Sequence, residues 1–282
     1  DFCQSDKDNE REMRVIDLIN SNEKTAFSFE ILPPLKGTGI EKLYQTIDTL
    51  REFDPKYINI TTHRSEYVYK DLGNGLFQRN RLRRRPGTVA VAAAIQNKYN
   101  ITMVPHILCS GFTREETEYV LLDLQFLGIT DLLVLRGDKA KHESSFIPVG
   151  NGYHHAVELQ EQINNFNKGI FVDGSEMKVT NTPFSYGVAC YPEKHEEAPN
   201  MDTDIYWLKK KMEIFRLRGT CPSSRCHHPD YPGHQALQEV VTTQHDTQDV
   251  QSRFARGTDP RGSEVQHRCG SSASGYRMVR AA

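Results

Sequence analysis

Five short runs rich in β-branched and aromatic residues, at 26–30, 57–61, 103–108, 132–135 and 186–191, recur along the chain with amphipathic stretches between them. Apolar strands alternating with helical periodicity are the mark of βα units around a parallel sheet. The stretches between the runs support this. Ile40, Leu43, Ile47 and Leu50 recur at helical spacing. Thr113 and Glu116 stand at capping-box spacing before Tyr119, Val120, Leu121 and Leu124, and Gly128 closes that helix. Ile205, Leu208 and Met212 share one helical face, with Lys209, Lys210 and Lys211 near the helix end, where cations suit the dipole.

Polar side chains collect where the strands end: Glu30, Thr61 and Thr62, His106 and Cys109, Arg136 and Asp138, Tyr191 and His195. In a ring of parallel strands every carboxyl end opens on one face, so residues far apart in sequence are expected to converge on one mouth. Glu30 follows an apolar strand and precedes Pro33-Pro34, and a desolvated carboxyl there could act as a general acid. Arg136-Gly137-Asp138 also follows a strand, which favours a cation and an acid flanking a planar ligand over an adhesion signal. Tyr191 and His195, with Asp204 and the three lysines one helix later, suit a ring system bearing phosphates, although no glycine-rich dinucleotide fingerprint or phosphate loop occurs. The basic run Arg79, Arg81, Arg83, Arg84 and Arg85 reads as a solvated loop rather than a phosphate site. Cys109 and Cys190, in apolar strands, read as inert thiols.

Lys and Arg number 35 against 37 Asp and Glu, a formal charge of -2, which argues against a nucleic-acid partner. No apolar run approaches the ~18 residues of a membrane span, and the N-terminal residues lack a signal-peptide pattern, so a cytoplasmic protein without membrane contact is expected. The first residues, 1–12, form a polar extension, and Met13 is the expected start of the folded chain. Residues 13–215 form the expected barrel portion. Residues 216–282 differ: they hold no Lys, Ile or Asn, and only eleven of their 67 positions are Val, Leu, Met, Phe, Trp or Tyr. Cys221, Cys226, His227 and His228 lack the separated second ligand pair of zinc modules, so no metal is expected.

Phe27-Ser28-Phe29-Glu30 with Pro33-Pro34, Pro105-His106-Ile107-Leu108-Cys109, Leu135-Arg136-Gly137-Asp138 and Ala189-Cys190-Tyr191-Pro192-Glu193-Lys194-His195 together resemble the methylenetetrahydrofolate reductase family. The resemblance, over about 13–213, implies an α/β fold of the TIM-type (β/α)8 barrel kind, here incomplete at about five βα units. It implies FAD at the strand carboxyl ends and reduction of 5,10-methylenetetrahydrofolate to 5-methyltetrahydrofolate with NADH or NADPH as electron donor. Glu30 resembles the family's general acid, which protonates the folate N10 so that the ring opens. Asp138 resembles its acid beside flavin and folate. Thr61, His106, Arg136, Gly137, Asp138, Tyr153, Ala189, Tyr191, His195, Asp204 and Lys211 resemble FAD contacts. The partner is a small-molecule folate, with association into a homo-oligomer left open.

The family pattern continues with a folate-binding Gln and a Pro-Ile-Ile-Pro-Gly-Ile-Lys-Pro stretch, neither of which follows here. Residues 228–237 can, however, be back-translated so that a reading one base later spells Ile-Pro-Ile-Ile-Pro-Gly-Ile-Lys-Pro. The tail is therefore expected to be out of frame, non-native and without a packed core. The alternative to an active enzyme is a catalytically dead remnant that retains flavin binding.

Overall fold

The strands order themselves by burial. In the computed structural model, which describes residues 14–21, 27–139, 143–178, 181–191, 194–217 and 277–278, the chain begins with helix α1 (Val15–Ser21). It continues with β1 (Ser28–Ile31), α2 (Ile40–Leu50), a single 3-10 turn (Arg51–Phe53) and β2 (Tyr57–Ile60). Strands β3 (Glu66–Gly73) and β4 (Leu76–Leu82) precede α3 (Thr88–Tyr99), β5 (Thr102–Leu108) and α4 (Arg114–Phe126). Then come β6 (Asp131–Leu135), α5 (Ala156–Asn167), β7 (Ser185–Cys190), α6 (Met201–Leu217) and the short β8 (Arg277–Met278).

Strands β1, β2, β5, β6 and β7 pair in that order, all parallel, and each is followed by a helix. The described chain is thus an α/β fold with five βα units in a mainly parallel sheet. The sheet does not close into a barrel among the described residues: β8 lies antiparallel on β7, with Ala189 opposite Met278 and Cys190 opposite Arg277.

Alternation along the strands separates two apolar faces. Ile31, Ile58, Ile60, Met103, Ile107, Leu132, Val134, Tyr186 and Val188 pack against the helices. The other face holds Tyr57, Val104 and Leu133, which pack with Val15 of α1. With both faces covered, β2 is buried along its whole length. Helix α1 closes the amino-terminal side of this inner face, where the Val15 backbone N–H donates to Asp131 Oδ1 at 3.2 Å.

The Thr113 capping box forms as expected: the Glu116 N–H donates to Thr113 Oγ1 at 3.1 Å, and the Thr113 N–H donates to Glu116 Oε2 at 3.0 Å. The basic run differs from the expected loop. Arg79 and Arg81 lie in β4, antiparallel to β3 in an exposed hairpin turning at Gly73-Asn74-Gly75. Two helices that the periodicity did not single out, α3 and α5, cover the sheet. Helix α6 runs two residues beyond the expected boundary at 215. Of the tail at 216–282, the structure otherwise describes only Arg277–Met278. The remainder, including the frame-shifted stretch at 228–237 and Cys221, Cys226, His227 and His228, lies outside the described residues, as does the extension at 1–12.

Burial raises the Asp131 carboxyl to about 6, opposed in part by the Val15 N–H and Arg14. A carboxyl raised in the folded state contributes stability that is full below the unfolded value and lost as pH rises through about 6. Asp131→Asn keeps an acceptor for Val15 and removes this dependence. The variant is expected to gain melting temperature relative to the parent as pH rises from 4.5 to 7.5, measured by thermal unfolding in matched buffers.

Candidate active site

Two groups of polar side chains stand at the carboxyl ends of the strands. The first lies on β1, β2 and β5. Phe29 and Ile31 pack toward the helices, so the alternation turns Glu30 to the inner face, where its side chain is 4% exposed. Glu30 Oε2 lies 3.6 Å from His106 Nε2. Desolvation, and to a lesser degree His63, lowers the His106 imidazole to about 3, so the ring is neutral at physiological pH and the contact is not an ion pair. His106 Nε2 is buried without a hydrogen-bond partner, and so is Oδ1 of Asn59, which stands in register with Glu30. Asn59 escaped the sequence reading because an Asn within a β run carries no motif.

The threonines after β2 fix this wall. Thr61 Oγ1 donates to the Ile31 carbonyl at 3.4 Å and lies 3.3 Å from His63 Nε2. Thr62 Oγ1 donates to the His106 carbonyl at 2.5 Å and lies 2.6 Å from Thr88 Oγ1. The loops of β1, β2 and β5 are therefore held to one another by hydroxyl contacts rather than by apolar packing.

The second group lines a cleft between β6, β7 and α6, formed by Arg136, Gly137, Asp138, Ala189, Tyr191, His195, Asp204 and Lys211 together with Leu135, Cys190, Met201, Ile205 and Leu208. Lys211 ties α6 to the sheet: its Nζ donates to the Ala189 carbonyl at 2.8 Å, and burial lowers its pKa. Asp204, in the first turn of α6, accepts the His195 N–H at 2.9 Å. The His195 ring meets Tyr191 edge-on at 4.9 Å, and its Nδ1 accepts the Glu197 N–H. Burial first, then Arg136, lowers the His195 pKa. Arg136 pairs with Glu197 at 2.9 Å and lies over the Phe146 ring at 4.8 Å, while its second terminal nitrogen is buried without a hydrogen-bond partner.

Gly137 joins the cleft to the β5 loop. Its φ is +80°, and a Cβ there would stand 2.7 Å from Ser110 Cβ. Ser110 Oγ donates to the Asp138 carbonyl at 3.1 Å and receives Arg64 at 3.3 Å. Asp138 itself is exposed at the rim.

Three of the expected cofactor contacts lie apart from the cleft. Thr61 and His106 belong to the first group. Tyr153 is buried in the helix-side core with the Arg114 guanidinium 4.8 Å from its ring, and burial raises its hydroxyl to about 12. Of the two thiols read as inert, burial pushes Cys109 up to about 12, whereas Cys190 is half-buried at the cleft wall. Among the described residues no cluster of three His, Cys, Asp or Glu could hold a metal ion, and no helix is long and apolar enough to cross a membrane.

The fold and site define a parallel α/β protein whose polar groups gather at the strand carboxyl ends, where open α/β sheets bind ligands. The sequence model of the methylenetetrahydrofolate reductase family matches residues 14–214, and the chain belongs to that family. It is 27% identical over 213 residues to methylenetetrahydrofolate reductase (NADH) 1 of Arabidopsis thaliana, covering 71% of this chain and 31% of the plant protein. To 5,10-methylenetetrahydrofolate reductase of Buchnera aphidicola it is 29% identical over 201 residues, covering 71% and 56% of the respective chains. The protein of the same name from Salmonella typhimurium is 26% identical over 207 residues, covering 73% and 57%. The chain thus spans between about a third and somewhat over half of the length of these relatives.

Gly137→Ala is expected to destabilise the protein by about 1–3 kcal/mol, because it adds both a left-handed backbone strain and a clash with Ser110. Denaturant unfolding measures this. A loss below about 0.5 kcal/mol would mean that the loop shifts freely and that the cleft wall is not fixed there.

Proposed function

We propose that the chain carries the flavin-binding and acid-bearing part of a methylenetetrahydrofolate reductase, an oxidoreductase that converts 5,10-methylenetetrahydrofolate to 5-methyltetrahydrofolate at the expense of NADH or NADPH. The observation that carries this reading is that eight of the eleven expected cofactor contacts line one cleft. The donor set fits FAD. Lys211 and Arg136 supply positive charge for phosphates, Tyr191 and His195 supply ring faces, and Arg136 has an unpartnered buried donor. Gly137 lets backbone approach a planar ligand closely.

When bound, the flavin supplies the hydride equivalent. The protein's own residues do the rest. Glu30, nearly withdrawn from water beside His106, is suited to give a proton to the folate N10. The neutral His106 beside it adds no competing positive charge, and its free Nε2 offers a polar contact for Glu30 or for substrate. Asp138, at the start of the loop after β6, is suited to favour the cationic ring-opened substrate. Arg136 and Lys211 fix the cofactor rather than react. A narrower reading, flavin binding without folate turnover, is favoured by a sheet that, among the described residues, ends in the short antiparallel β8 and does not close onto β1.

Glu30→Gln separates the roles. With FAD content unchanged, folate reduction should fall by roughly 10²–10⁴-fold, the usual cost of losing a general acid. Turnover assays with a parallel measure of bound flavin test this. Undiminished folate reduction by the variant would remove Glu30 from the acid role. Absence of turnover in the unmodified chain, with FAD bound, would establish the narrower reading.

A further inference from the structure

Arg64, in the loop after β2, belongs to neither group of site residues, and no motif singles it out in the sequence. Its side chain is 23% exposed, and its guanidinium reaches two other loops at once. Nη1 donates to Ser110 Oγ at 3.3 Å, in the loop after β5, and Nη2 stands 3.6 Å from Glu143 Oε2, in the chain that follows β6. The stem is seated as well. Gly111 has a φ of +77°, and a Cβ there would overlap the Cβ of Arg64. So close a passage of backbone over a side chain needs glycine.

From Ser110 the contact passes to the acid of the cleft. Ser110 is buried; its Oγ donates to the Asp138 carbonyl at 3.1 Å and its N–H donates to the Arg136 carbonyl at 2.9 Å. Gly137, between those two carbonyls, has no room for a Cβ against Ser110. Arg136-Gly137-Asp138 therefore lies on Ser110, and Arg64 holds Ser110 from the other side. The Asp138 carboxylate is exposed and, among the described residues, makes no hydrogen bond or ion pair of its own. Its place is set by its backbone. The field of a carboxylate at a neighbouring group weakens with distance and with the water admitted between them, so such an acid acts with constant strength only while its loop is fixed. A guanidinium presents several donors in a rigid fork, which suits a brace across two loops, whereas an ammonium is a point charge.

We propose that Arg64 is the positioning residue of Asp138: it clamps the loop after β6 onto the loop after β5 and so fixes the distance from the Asp138 carboxylate to a flavin in the cleft. The inference rests on the flavin reading above. The role is exercised through Ser110 and requires no contact of Arg64 with cofactor or substrate.

The test is a double-mutant cycle on the midpoint potential of FAD bound to the full chain. Asp138→Asn is expected to raise the potential, because a nearby carboxylate opposes the electrons that reduction adds. In the Arg64→Met background the same replacement should shift the potential by less than about half as much. Arg64→Lys, which keeps the charge and one of the two contacts, should fall between, and Ser110→Ala should reproduce Arg64→Met. In the chain without FAD, hydrogen exchange at the Ser110 amide should quicken about tenfold or more in Arg64→Met, with amides inside β2 and β5 unchanged. An Asp138→Asn shift that is absent in the parent, or undiminished beside Arg64→Met, overturns the proposal. So does unchanged exchange at Ser110. Early melting of Arg64→Met together with loss of FAD would make Arg64 a general structural brace, which also overturns it. A parent chain that binds no FAD fails the flavin reading, while the exchange measurement still scores the clamp, so the two failures are told apart.

Discussion

The parallel register of five strands is the constraint on which the rest of this structure depends. Glu30 opposite Asn59, Ile60 opposite Pro105, His106 opposite Leu133 and Leu133 opposite Gly187 set which side chains share a level. Because strand side chains alternate with period two, a slip of one residue would turn Glu30 and His106 into the helix-side core and bring Ile31 and Ile107 to the inner face. The register is held by the buried aliphatic residues that the helices cover, and the polar inner positions are carried along with them. The acid and the imidazole therefore meet through apolar packing on the opposite face of the same strands.

The cleft depends on a second constraint, the attachment of α6. Lys211 gives a hydrogen bond to the Ala189 carbonyl at the carboxyl end of β7, Asp204 holds the His195 backbone, and Gln160 of α5 donates to the Lys211 carbonyl at 3.2 Å. Asn164 of α5 donates to the Ile214 carbonyl and accepts the Tyr186 hydroxyl, while Tyr186 stacks on Phe215 at 4.8 Å. Buried polar groups are costly unless paired, so this network specifies one seat for α6 on the sheet rather than many. Among the described residues six buried side-chain atoms lack a hydrogen-bond partner: one nitrogen of Arg136, Nε2 of His106 and Oδ1 of Asn59 lie at or below the two polar clusters, and the other three belong to Gln125, Gln160 and Gln162 on the helices. Unpaired donors and acceptors at the clusters are the ones a polar ligand would satisfy.

Much of this was legible in the sequence because its cause is local. The strands appear within two residues of the β-rich runs, and the Thr113–Glu116 pair forms the cap its spacing implies. The meeting of Arg136, Asp138, Tyr191 and His195 in one cleft followed once the strands were read as parallel, whereas Ala189 and Lys211 were expected only from the family resemblance. The β3–β4 hairpin was missed, although Gly73-Asn74-Gly75 between alternating aromatic and charged residues is a hairpin signal, because the arginine run dominated the reading. Helix α3 begins with Thr88 and Val89, whose weak propensity concealed a helix set by packing against β2 and β5. Tyr153 illustrates the opposite limit: motif position alone does not reveal that Arg114 and the helix-side core enclose its ring.

The cleft of β6, β7 and α6 is the proposed seat of FAD, held through side chains of this chain. Its most direct measurement is an equilibrium titration by flavin fluorescence, comparing the full chain with Lys211→Met, which keeps the length of the side chain and removes its charge. The account predicts saturable one-to-one binding that weakens roughly ten- to hundredfold in the variant, the cost of one charge-assisted hydrogen bond. Binding that never saturates, or that is equally tight without the Lys211 ammonium, would contradict it.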